Sequence, residues 1–250
     1  MRCSHQLLDA LFSTPRTDAL VDAVVRLWAG AVARRRDPSQ ALRALLALHD
    51  ELFRRIDVLA VELDGGVHAK HRIMRYHDFF VDRVHEGESV LDVGCGKAEL
   101  AHDLVERAGV NVTGVDVNRS SLDFAREHFA SDRLQLVEAD ARTWEPGRSF
   151  DAIVLSNVLE HIADRVGLLQ RLTAVARPKR FLIRVPVLER DWAVGLRRDL
   201  GIFHFSDPTH ETEYDREQLV SELSAADLET TEIVQRWGEL WAVAEPRRDS

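Results

Sequence analysis

Val90-Leu91-Asp92-Val93-Gly94-Cys95-Gly96-Lys97-Ala98-Glu99-Leu100 reads as a buried strand running through a tight turn into a helix. Gly94 and Gly96 let the backbone turn sharply and approach a ligand, because no Cβ stands in the way. Asp116 follows about 20 residues after Gly96, at the end of the next β-branched run, where a carboxylate can take the two hydroxyls of a ribose. Cys95 sits inside the turn without a flanking base or metal partner and reads as a small filler.

Outward from this turn, short β-branched runs at 89–93, 111–116, 133–137, 150–155 and 181–185 alternate with helical stretches near 98–108, 119–129 and 165–176. That alternation is the pattern of βαβ units around a parallel sheet. After Pro186 a less regular insertion runs over about 187–214, followed by a helix near 216–226. Two last strands, 229–234 and 240–244, are joined by the short turn Gln235-Arg236-Trp237-Gly238 and should pair antiparallel at the sheet edge.

Upstream the texture is helical. Leu20, Val21, Val24, Val25, Trp28 and Val32 recur at helical spacing, and Leu42 to Leu63 do the same after Asp37-Pro38, an N-cap followed by an N1 proline. The expectation is an N-terminal helical hairpin over 1–66, ended by Gly65-Gly66, and one sheet-based domain over 67–250. A third helix is expected over 69–84, with Ile73, Phe79, Phe80 and Val84 on one side.

The 250-residue chain has 45% hydrophobic and 30% charged residues, an ordinary globular balance. A net charge of −9 argues against a broad nucleic-acid footprint. Cys3 and Cys95 alone cannot build a disulfide framework or a cysteine-rich zinc site, which fits a reducing compartment. No uninterrupted apolar stretch reads as a signal peptide or membrane span, so the expected location is the cytoplasm.

A dinucleotide fingerprint needs a third glycine at position 99, where a helix N-terminus meets pyrophosphate, and Glu99 would repel that phosphate. A phosphate-free nucleoside ligand fits better. On this set of motifs, residues from roughly His68 to Ala244 resemble the class I S-adenosylmethionine-dependent methyltransferases. The resemblance implies a Rossmann-like α/β fold with a seven-stranded, mostly parallel sheet and one antiparallel strand, with S-adenosylmethionine as cofactor and S-adenosylhomocysteine as product. It implies that Asp92, Gly94, Cys95 and Gly96 surround the methionine moiety, that Asp116 and Val117 hold the ribose, that Asp140 and Ala141 flank the adenine, and that Asn157 lies beside the methyl group. Ala98 departs from the glycine common in the family at that position.

The cofactor is already a strong methyl donor, so the protein must align an acceptor, with a base needed only for a group that must lose a proton. Histidine suits that task at neutral pH. His161, His210 and His204 are the candidate bases, His161 with an equal structural reading, since a Glu-His pair recurs there across the family. The expected acceptor is a small molecule, a glycan or a lipid-linked compound, methylated on oxygen and without a metal.

One alternative starts from Glu160, His161 and His210, which are similar to the magnesium ligands of small-RNA 2′-O-methyltransferases, although Asn157 replaces the first carboxylate of that pattern and is a poorer ligand for a hard cation. Another is a cofactor-binding scaffold without turnover. Lys70, Arg72 and Arg75, together with four nearby aromatic and histidine residues, read either as a solvated face or as an anion site. The apolar faces of the hairpin need a partner, for which a second subunit, the sheet domain and another protein are the options.

Overall fold

A computed structural model describes residues 15–34 and 37–247 of the chain. Seven strands form one sheet in the order β3-β2-β1-β4-β5-β7-β6. They are β1 Ser89–Val93, β2 Asn111–Asp116, β3 Leu134–Glu138, β4 Ala152–Ser156, β5 Arg180–Pro186, β6 Leu228–Arg236 and β7 Glu239–Pro246. Strands β1 to β5 pair in parallel, and β7 runs antiparallel between β5 and β6. The β6–β7 turn is two residues long, with Trp237 at φ +55° and Gly238 at φ +74°, a twist that matches the flanking strands.

The continuous apolar runs of the central strands follow from burial on both faces. Alternate residues serve opposite layers. Leu91, Val93, Ile153, Leu155, Phe181 and Ile183 join one core with Leu169, Leu172 and Tyr214. Val90, Ala152, Val154 and Leu182 join the other, with Phe80, Leu104 and Trp241. Asn118, Asp164 and Asp215 cap the helices Arg119–His128, Arg165–Ala176 and Arg216–Ala225 through their side-chain oxygens. The chain proceeds from β1 outward through β2 and β3, and β4 returns to the other side of β1. The crevice at that reversal, over the carboxyl ends of β1 and β4, is where such a sheet receives a ligand.

The expected helix over 69–84 is two helices, Lys70–Met74 and Tyr76–Val81, broken at Arg75, which takes the left-handed conformation at φ +51°. The break changes the facing of residues on either side. Ile73 is exposed while Phe79, Phe80 and Val84 are buried. Arg75 pairs with Asp78 at 2.6 Å, so this member of the proposed anion site is already engaged. The insertion after β5 contains a further helix, Trp192–Asp199.

By contacts the chain divides into two units. One contains the described residues up to Ala69 together with 200–202, the other 70–199 and 203–247. In the first, helices Pro15–Ala33 and Pro38–Leu63 form the hairpin. Asp37 caps the second helix by accepting from the Ser39 N–H at 2.9 Å, with Pro38 in its first turn.

Candidate functional site

The glycine turn is held from beneath by β2. The Gly94 and Cys95 N–H groups donate to the Val115 carbonyl at 2.7 and 3.2 Å. Gly94 and Gly96 lie at φ +70° and +54°, left-handed conformations that glycine adopts without the Cβ penalty. A Cβ on Gly94 would also stand 2.7 Å from Val158 Cγ2. The position two residues past Gly96 is Ala98, left-handed at φ +59° and fully buried at the start of helix Glu99–Ala108. Cys95 packs its sulfur over β2, where a Cβ on Gly114 would come within 2.8 Å of it. Burial pushes the Cys95 thiol pKa up, so it is a spacer and not a nucleophile.

Asp116 braces the turn in addition to facing the crevice. Its Oδ2 accepts from the Gly96 N–H at 2.8 Å and its Oδ1 from the Asn118 N–H at 2.7 Å. Each oxygen keeps a further lone pair for a hydroxyl. Val117, beside it, is 68% exposed. Asp92 is fully buried at the end of β1, and its Oδ2 has no protein partner. Burial, and then the negative charge of Asp116, push its pKa up to about 7.

Asn157 follows β4 at φ +57°, a conformation that Asn adopts more readily than most residues. Its N–H donates to the Arg184 carbonyl at 2.8 Å, while its Oδ1 is buried without a partner. Asp140 is occupied differently from the other carboxylates. Arg142 donates to both of its oxygens, and this hydrogen-bonded pairing holds Asp140 below the usual carboxylate range. Ala141 packs against the core edge.

The second part of the site joins two distant segments. The 3₁₀ turn Leu159–His161 follows β4, and His210 lies in the insertion. Their imidazoles meet edge to face, with centroids 4.7 Å apart. One ligand atom each from Glu160, His161 and His210 lie within 4.8 Å of one another, a group able to hold a metal ion. His204 does not join them: its ring lies tilted against Phe205, and its carbonyl accepts from Arg190 at 2.8 Å.

Proton accounting defines the tautomers of both rings. The Thr209 hydroxyl donates to Asp207 at 2.6 Å, so it accepts from His161 Nδ1–H at 3.0 Å. His210 Nδ1–H donates to the Glu213 carboxylate at 3.1 Å. Both rings therefore keep Nε2 as a lone-pair acceptor. Glu160 is fully buried, with neither carboxylate oxygen partnered, and burial pushes its pKa up to about 7 against the lowering charges of His210 and Arg184. Burial, then the His210 charge, lower the His161 pKa. Two histidines and a buried carboxylate this close together favour a shared proton or a cation.

Two residues without a role at the sequence level organise this part. Glu213 is buried, and besides His210 it accepts from the Ser206 hydroxyl at 2.6 Å and from Arg190. Burial would raise its pKa, but the hydrogen bonds from His210 and Ser206 and the Arg190 charge hold it below the usual range. Arg184, buried on β5, pairs with Glu239 at 2.7 Å and lies 3.7 Å over the Tyr76 ring. A charge inside the apolar run Phe181-Leu182-Ile183-Arg184-Val185 was the signal for such a partner.

Residues 90–179 match the family described as "Methyltransferase domain". The chain is 34% identical over 100 residues to a ubiquinone biosynthesis O-methyltransferase of Actinobacillus pleuropneumoniae serotype 7, covering 37% of this chain and 42% of the relative. It spans about two fifths of the length of the curated relatives it matches. Magnesium protoporphyrin IX methyltransferase from Synechocystis PCC 6803, solved with SAH, superposes with TM-score 0.56 at 16% identity, over 69% of this chain and 83% of that one. A small RNA methyltransferase superposes with TM-score 0.57 at 17% identity, over 73% of this chain and 26% of that one. With the strand order, the glycine turn and the acid ending β2, these likenesses define a methyltransferase domain over residues 90–179, set in the Rossmann-like fold that the chain shares with the solved methyltransferases.

Proposed function

We propose that this chain binds S-adenosylmethionine in the crevice over β1, β2 and β4 and transfers its methyl group to a hydroxyl of a small-molecule, glycan or lipid-linked acceptor. The observation that carries the reading is the pair of buried oxygens without protein partners, Asp92 Oδ2 just before the glycine turn and Asn157 Oδ1 just after β4, beside a Gly94 position too close to Val158 for a Cβ. Buried polar atoms require partners, and a ligand rich in donors supplies them. Asp92, Gly94, Cys95 and Gly96 would hold the methionine end, Asp116 and Val117 the ribose, Asp140 and Ala141 the adenine edge, and Asn157 the region of the transferred group.

When bound, the cofactor supplies an electrophilic methyl group. The chain's own residues handle the acceptor. His210 presents Nε2 as a base with its other nitrogen fixed by Glu213, and His161 stands beside it in the same tautomer. His204 is set aside as a base, since its ring lies against Phe205. The relatives named for ubiquinone biosynthesis support O-methylation of a small acceptor. The helical hairpin is read as an association module, outside the transfer chemistry.

A second reading has its own observation. Glu160, His161 and His210 form an acceptor-only cluster that fits a divalent cation, which would orient the acceptor hydroxyl and lower its pKa. Tritiated methyl transfer to a panel of phenols, sugars, lipid-linked sugars and small RNAs, with chelator, magnesium and manganese arms, decides between them. Incorporation into hydroxyl acceptors that survives chelation supports the base reading, and chelator-sensitive incorporation supports the cation reading. Cofactor binding with no incorporation on any acceptor supports a scaffold instead.

A further inference from the structure

The helical hairpin carries an apolar seam that its own two helices leave exposed. On Pro38–Leu63, Leu52, Ile56, Leu59 and Leu63 follow one another at spacings of four, three and four, and stand 50, 58, 60 and 79% exposed. On Pro15–Ala33, Leu20, Val24 and Leu27 repeat that spacing and are likewise exposed. A 3.5-residue repeat of this kind is the pattern of knobs packing into the holes of another helix, and the exposed Phe53 and Val58 widen the apolar face beside it.

The charges beside the second seam select the partner. Position 55, one before Ile56, is arginine, and position 62, one before Leu63, is glutamate. In an antiparallel two-fold pairing Leu52 meets Leu63 of the other copy and Ile56 meets Leu59. The flanking positions that then face each other are 55 and 62, so Arg55 of each copy meets Glu62 of the other, twice by symmetry. The opposite flank brings Phe53 against Ala60. A parallel pairing would set Arg55 against Ala60 and form no such ion pair. The exposed apolar side chains of the two helices amount to on the order of 1,000 Å², against about 800 Å² buried per partner in a standard stable interface. The Arg55 side chain is 76% exposed and pairs with Glu51 one turn away at 2.9 Å, so an intermolecular partner shares its guanidinium with Glu51.

We infer that two copies of this chain associate through helix Pro38–Leu63 in an antiparallel register centred between residues 57 and 58, with the seam of helix Pro15–Ala33 completing a four-helix bundle. The inference is independent of the cofactor and of the acceptor.

Sedimentation velocity on the full chain between about 1 and 50 μM is the test, with helicity by circular dichroism and S-adenosylhomocysteine affinity as controls for folding. The wild type should sediment at twice the 28.4 kDa chain mass. Ile56→Glu should abolish the dimer across this range. Arg55→Glu and Glu62→Arg alone should each weaken association at least tenfold, by setting like charges opposite one another twice, and the double variant Arg55→Glu/Glu62→Arg should return to within about threefold of wild type. A wild-type monomer at 50 μM overturns the inference. So does a dimer whose affinity the single charge variants leave unchanged, or one that the double variant fails to restore, since a different face or register would then hold it.

Discussion

Glu213, wholly buried, holds Nδ1 of His210 at 3.1 Å, and that single contact decides which nitrogen of His210 keeps its lone pair. The carboxylate is itself secured by Ser206 and Arg190. It therefore acts on the ring as a positioning residue. His210→Ala should lower kcat by about 10²–10⁴-fold while leaving the S-adenosylhomocysteine Kd within about twofold. Glu213→Gln should lower kcat less, about tenfold or more, and shift the acidic limb of the pH profile. Equal losses in kcat and cofactor affinity would assign both residues to folding of the insertion.

Asp116 should show two effects at once. Asp116→Ala removes the acceptor for the Gly96 and Asn118 N–H groups as well as the ribose contact. Stability should fall by about 1–3 kcal/mol and cofactor affinity by more than tenfold. Denaturant melts with and without S-adenosylhomocysteine separate the two. A stability loss without an affinity loss would confine Asp116 to the turn.

Cys95 and Gly114 should be coupled, because the Cys95 sulfur occupies the space that a Cβ at Gly114 would need. Gly114→Ala should destabilise by about 1–3 kcal/mol through overpacking of the turn. Adding Cys95→Gly should recover part of that loss. A purely additive double-mutant cycle would contradict the packing argument.

Ala98, fully buried at φ +59°, stands where glycine would be free of the left-handed penalty. Ala98→Gly should change stability by about +1 kcal/mol, since relief of the strained conformation outweighs the added freedom of the unfolded chain. A loss of stability would show that the buried methyl contributes more by packing than its conformation costs.

Asp92 gives a pH signature. Its folded pKa, pushed up to about 7, lies above the unfolded value of about 3.9, so the folded state binds more protons between those values. Its contribution is complete below about pH 4 and is lost as pH rises through about 7. Asp92→Asn should therefore raise the Tm of the ligand-free protein relative to wild type at pH 8 and show little difference at pH 4.5. An identical difference at both values would mean that Asp92 is ionised and satisfied in the folded chain.

Much of this arrangement is legible in the sequence because it is local. The glycine turn, the acid ending β2 and the antiparallel β6–β7 pair each follow from residues a few positions apart, or from one strand-to-strand spacing. The break at Arg75 is not legible, since an arginine adopts the left-handed conformation there under tertiary packing and no glycine or proline marks it. The meeting of His161 with His210 depends on how the insertion folds back over β4, which periodicity cannot report. Which of the candidate bases meet is hidden for the same reason: His161 and His210 come together, while the His204 ring lies against Phe205. Glu213 looks like one charge among several in His210-Glu211-Thr212-Glu213, and only its burial separates it from its neighbours.

The central claim is that the crevice over β1 and β4 holds S-adenosylmethionine, and calorimetric titration of the full chain with S-adenosylmethionine, S-adenosylhomocysteine and NAD tests it most directly. Saturable one-to-one binding of the first two, abolished by Gly94→Ala with its clash against Val158, and no heat with NAD, is the expected result. Binding of NAD alone, or of none of the three, would contradict the account.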